Sequence, residues 1–95
     1  MKRSLRLAPQ VIDFARRLAP EPRRALKRAL EGLREEKGDI LALEANLAAY
    51  HRLRVGRHRV IFQFTGDGAI DAVFVEDRAL VYEVFSALLE KELRS

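Results

Sequence analysis

A chain of 95 residues can bury one hydrophobic core and leaves no room for a second, so a single domain over residues 1–95 is expected. Its residues are 48% hydrophobic and 34% charged, a balance that excludes a disordered or fibrous chain. The absence of cysteine excludes disulfides, thiolate metal sites and a thiol nucleophile and favours a cytoplasmic location, while the formal net charge of +4 points to an anionic partner.

The first residues, from Met1 to Ala8, are charged and lack a signal-like apolar run, and no stretch reaches the apolar length of a bilayer span. No membrane partner and no export by that route are expected. Residues 4–8 alternate polar and apolar and stop at Pro9, which predicts a short first strand. From Gln10 onward Val11, Phe14, Ala15 and Leu18 recur at helical spacing, with Asp13 placed in the first turn and Pro20 as the stop. A second helix begins at Glu21 and Pro22. In it Ala25, Leu26, Ala29, Leu30 and Leu33 form one apolar stripe, and Arg23, Arg24, Lys27, Arg28 and Arg34 point elsewhere. The two make a helical hairpin with a basic, solvated outer face.

Gly38 and Asp39 break the pattern, and residues 40–49 fit a helical turn or a packed loop equally well. Residues 50–55, 59–65 and 69–76 are rich in β-branched, aromatic and alternating positions. They are separated by Gly56-Arg57 and by Gly66-Asp67-Gly68, which predicts three antiparallel strands. Val81, Val84, Phe85, Leu88, Leu89 and Leu93 then predict a closing amphipathic helix.

The charge is unevenly spread along this framework. Residues 1–49 carry 11 basic and 7 acidic side chains, residues 50–64 carry 4 and 0, and residues 65–95 carry 3 and 7. If Gly56-Arg57 is a two-residue type II′ turn, opposed residues have numbers summing to 113. Leu53 then faces Val60 and His51 faces Phe62 on the side toward the helices, whereas Arg54 faces Arg59 and Arg52 faces Ile61 on an exposed side. Like charges directly opposite cost about 0.2 to 1 kcal/mol, so an anion bridging the two guanidinium groups is the reading that explains them. Solvation, or neutralisation by Glu76 or Asp77 on the next strand, is the structural alternative.

His51 is expected to point inward beside Phe62, and His58 to lie more exposed at the mouth of the hairpin. Neither has metal-ligand spacing to another histidine or a carboxylate, so no metal is expected. Glu35 and Glu36 are adjacent on a helix and diverge, which makes them surface charge rather than an acid–base pair. No phosphate-cradling glycine loop is present, and Gly66-Asp67-Gly68 reads as a turn.

Leu43, Leu47, Tyr50, the run Arg52-Leu53-Arg54-Val55-Gly56, the run Arg59-Val60-Ile61-Phe62 and the later Asp77-Arg78-Ala79-Leu80-Val81-Tyr82 together resemble the RelE/ParE toxins. The usual pattern of that superfamily reads tyrosine, arginine, leucine, arginine, valine, glycine, any residue, tyrosine, arginine, valine, then an arginine followed by valine-tyrosine. Leu5-Arg6-Leu7-Ala8-Pro9 with Phe14 and Leu18 is similar to its opening segment, so the likeness extends over nearly the whole chain.

The resemblance implies an α+β fold, a small, mainly antiparallel sheet with the helical hairpin on one face and a C-terminal amphipathic helix. It implies a toxin of a type II toxin–antitoxin system, silenced by a cognate antitoxin and using no cofactor. The preferred target is messenger RNA on the ribosome, cut by a RelE-like endoribonuclease. The alternatives are a ParE-like poison of DNA gyrase and an inactive relative kept for antitoxin binding. By the same resemblance Arg59 and Arg78 are phosphate clamps and Tyr82 lies by the scissile phosphate, with Arg52, Arg54, Arg57 and His58 contacting RNA. Proton transfer is left open between His51 and His58. The chain departs from the family pattern at Glu76-Asp77, which sets two carboxylates beside Arg78, and it lacks the C-terminal histidine-tyrosine pair of some relatives.

Overall fold

A computed structural model describes residues 2–77 and 80–94. The chain forms β1 (Leu5–Leu7), α1 (Pro9–Arg17), α2 (Pro20–Leu33), β2 (Asp39–Ala42), a 3-10 turn (Ala45–Leu47), β3 (His51–Val55), β4 (His58–Phe64), β5 (Ile70–Asp77) and α3 (Leu80–Arg94). The five strands lie in the order β1-β5-β4-β3-β2. β1 runs parallel to β5 and the other neighbours are antiparallel.

The prolines open helices. Pro9 and Pro20 each occupy the first helical position, where the missing N–H would have had no partner, so both helices start earlier than the apolar spacing predicts. Asp13 consequently falls beyond the first turn of α1. Pro9 also ends β1, and a side chain takes over from the strand: Gln10 Nε2 donates to the Val75 carbonyl at 2.7 Å while Val75 N donates to Gln10 Oε1 at 2.8 Å. One amide thus satisfies both backbone groups of Val75 and fixes α1 on β5.

α2 ends in paired bonds from Lys37 N to the Gly32 carbonyl and from Glu36 N to the Leu33 carbonyl, with Glu36 at φ 58°. Gly38 follows at φ 123°, and a Cβ there would stand 2.8 Å from Leu53 Cδ1, so the chain needs glycine to turn into β2. The segment left open by the sequence is therefore an edge strand and a short 3-10 turn.

The core has two layers. On one face of the sheet Val11, Leu26, Leu30 and Leu33 of the helical hairpin cover Leu53, Val60, Phe62, Ile70, Ala72 and Val75. On the other face Val81 and Phe85 of α3 cover Ile61 and Phe74, with Leu47 beside them. Asn46 Nδ2 donates to Ser86 Oγ at 2.7 Å and ties α3 to the 3-10 turn. The face expected to be exposed is therefore partly covered: Ile61, opposite Arg52, is fully buried because α3 folds back over it.

Candidate nucleic-acid interface

The β3–β4 hairpin has the predicted register, with Arg54 opposite Arg59, Leu53 opposite Val60, His51 opposite Phe62 and Arg52 opposite Ile61. Gly56 has φ 60° and Arg57 has no positive φ, the pattern of a type II′ turn with glycine first. Strand pairing continues outward from the arginines, because Arg54 also faces Asp39 on β2 and Arg59 faces Glu76 on β5. Cross-strand partners share a face, so one row across four strands reads Asp39, Arg54, Arg59, Glu76.

Within this row the charges are unequally committed. Arg54 is exposed. Arg59 is half-buried, and its guanidinium donates to the carbonyls of Gly56 at 3.0 Å and His58 at 3.1 Å. Among the described residues no carboxylate forms an ion pair with either arginine. Arg52 differs: it donates to the Asp39 carbonyl at 2.9 Å and pairs with Asp39 Oδ1 at 3.0 Å, which holds it against the edge strand.

The histidines lie on the other side of the sheet. His58 was expected at an open mouth; it is instead 9% exposed, because its strand position faces α1 and its ring meets Phe14 edge-on at 5.2 Å. Its Nδ1 lies 2.6 Å from Asp77 Oδ1, and the second oxygen of Asp77 receives Arg57 at 3.1 Å. His51 stacks on Phe62 as expected, with its Nδ1 buried and unpartnered. The sheet therefore separates both rings from Arg54 and Arg59. Glu76 and Asp77 likewise point to opposite faces.

Sequence reasoning placed Glu76 and Asp77 on the next strand and left open which of them faces Arg59; the register selects Glu76. A plain hairpin at Gly66-Asp67-Gly68 sets Phe64 opposite Ile70 and Phe62 opposite Ala72, but a bulge between Ile61 and Phe62 shifts the remaining pairs by one. Without it Glu76 would face His58. The turn itself is held by Thr65 Oγ1 and the Ala69 N–H on Asp67, which keep the Asp67 carboxyl below its ordinary value. Asp71, hydrogen-bonded and oppositely charged at 2.6 Å, raises Arg6 above its own.

Among solved structures the chain superposes on RelE of Escherichia coli, a doubly substituted variant in the free state, with a TM-score of 0.68 at 19% identity, covering 96% of this chain and 98% of that one. It also matches the RelBE2 toxin–antitoxin complex of Mycobacterium tuberculosis (TM-score 0.67, 19% identity, 82% and 100% covered). A third match is the RelB–RelE antitoxin–toxin complex of Methanococcus jannaschii (TM-score 0.64, 21% identity, 82% and 95% covered). The fold is that of the RelE toxins. Neither a family model nor a curated protein sequence matches the chain.

On this RelE fold Arg54 and Arg59 come together as the hairpin register predicts, and Arg57, exposed on the turn between their strands, pairs with Asp77. Arg78 lies outside the described residues. Tyr82 is half-buried against the cluster of Ile61, Phe74 and Phe85, on the same side of the sheet as the arginine row. Among the described residues no group of three or more histidines and carboxylates is placed to hold a metal ion, and no helix is long and apolar enough to cross a membrane.

Proposed function

We propose that this chain is the toxin of a type II toxin–antitoxin system and cleaves messenger RNA on the ribosome. The observation that carries the reading is the pair of arginines directly opposite one another on β3 and β4, neither of which forms an ion pair with a carboxylate among the described residues. Such a pair is unfavourable in the free protein and favourable once an anion bridges it, and arginine matches phosphate through parallel hydrogen bonds. Cleavage through the ribose 2′-hydroxyl builds negative charge on a phosphorane, which Arg59 and Arg54 would stabilise, with Arg78 as a further clamp and Tyr82 alongside, whereas Arg57 is engaged by Asp77 on the other face. Likeness of fold to RelE toxins supports the toxin class.

The cognate antitoxin is an acidic, partly helical segment. A groove of about 650 Å³ with Leu5, Leu7, Ile12, Ala15 and Leu30 in its walls also carries Arg16, Arg23 and Lys27 against a single acid, Glu31. Apolar floor and excess positive charge suit the two faces of such a segment.

Ribosomes programmed with a defined transcript, incubated with the protein, test the reaction. Wild-type protein is expected to cut the transcript, and Arg59→Ala to lose about 100-fold or more of the rate, the scale of a removed oxyanion donor. The confinement of both histidines to the opposite face favours one competing reading, a ParE-like inhibitor that performs no chemistry. Intact transcripts together with arrested supercoiling by DNA gyrase would establish that reading and end the ribonuclease one.

A further inference from the structure

We propose that Glu76 is the general base of the RNA-cleaving reaction; this rests on the ribonuclease reading above. Three carboxylates of the sheet project from the arginine face. Asp39 is engaged by Arg52 at 3.0 Å, and Asp71 by Arg6 at 2.6 Å. Glu76 makes no ion pair or hydrogen bond among the described residues, although its cross-strand partner is Arg59. Its neighbour Asp77 is on the far side, bound to His58 and Arg57. Among the described residues the strands of the face that holds the phosphate clamps therefore carry one uncommitted carboxylate, on the strand next to that of Arg59, with the two backbones about 5 Å apart.

That spacing suits the reaction. The ribose 2′-oxygen and the phosphate that it attacks are a few bonds apart, so a base and a cation on adjacent strands address both. A Glu76 oxygen accepts the 2′-hydroxyl proton as the 2′-oxygen forms its bond to phosphorus. The phosphorus–5′-oxygen bond breaks, the 5′-oxygen leaves with the bonding pair and takes a proton from water, and a 2′,3′-cyclic phosphate remains. Glu76 returns its proton to solvent. Arg59, its cross-strand partner, stabilises the phosphorane during the reaction.

Single-turnover cleavage on programmed ribosomes decides the matter, using the full chain with Glu76→Gln and Glu76→Ala. Glu76→Gln should lose about 100-fold or more in rate, as expected for removal of a general base, while binding a transcript with a 2′-deoxy residue at the cut site as tightly as the wild type. Added formate should restore part of the rate to Glu76→Ala and none to Arg59→Ala, an outcome that a structural role for Glu76 does not produce. Glu76→Gln cleaving at the wild-type rate or faster would overturn the proposal alone and mark Glu76 as a charge that merely repels phosphate. Absence of formate rescue in a folded Glu76→Ala protein would overturn it as well. If the wild type leaves the transcript intact, the ribonuclease reading falls and the role of Glu76 falls with it.

Discussion

Asp77 carries two strand ends at once: one oxygen sits 2.6 Å from His58 Nδ1 and the other 3.1 Å from Arg57. His58 is 9% exposed, so removing its partner strands a polar group where water has little access. Asp77→Ala is expected to destabilise the fold by about 1–3 kcal/mol, the cost of an unsatisfied buried polar group, read as a lowered midpoint in urea. Because the pair lies on the helix side of the sheet, the variant should keep its cleavage rate once corrected for the folded fraction, in contrast to Arg59→Ala. Asp67 behaves differently. The Thr65 hydroxyl and the Ala69 N–H favour its charged form and hold its folded value below the unfolded one. Its contribution to stability is therefore present above the ordinary carboxylate range and lost as pH falls through it. Thermal unfolding followed from neutral to acid pH should show a shallower acid-side decline for Asp67→Asn than for the wild type.

At the scale of elements, the hairpin register was legible because Gly56 fixes the turn and every pair follows from it by alternation. The helical hairpin was legible from its apolar spacing, and its boundaries were misplaced only where proline opens a helix rather than closing one. Two features were hidden for physical reasons. The bulge between Ile61 and Phe62 leaves no composition signal, since it falls within a run of apolar residues that suits either register, yet it decides which residue faces Arg59. The burial of His58 depends on Phe14 and Asp77, both remote in sequence, so no local pattern announces it. The link from α2 into β2 has its own test. Gly38 combines φ 123° with a prospective Cβ contact of 2.8 Å to Leu53. Gly38→Ala should cost about 1–3 kcal/mol through backbone strain, seen as a lowered unfolding midpoint with the arginine face chemically unaltered.

Across the whole molecule, one sheet separates two surfaces with different chemistry. The helical hairpin and β1 frame an apolar groove bearing Arg16, Arg23 and Lys27, while α3 covers Ile61 and Phe74 on the opposite face, where among the described residues Arg54 and Arg59 form no ion pair. A partner segment in the groove and a nucleic acid on the arginine row would touch different side chains, so their electrostatics can be varied separately. Single-stranded nucleic acid releases about 0.7 counterions for each phosphate neutralised, which sets the slope of log K against log salt concentration. Arg54→Ala should lower the magnitude of that slope by about 0.7 for a non-cleavable transcript. Lys27→Ala, on the groove, should leave it unchanged. Equal slopes for Arg54→Ala and the wild type would mean that the exposed guanidinium meets no phosphate, and the anion that relieves the Arg54–Arg59 crowding would then have to come from another class of partner.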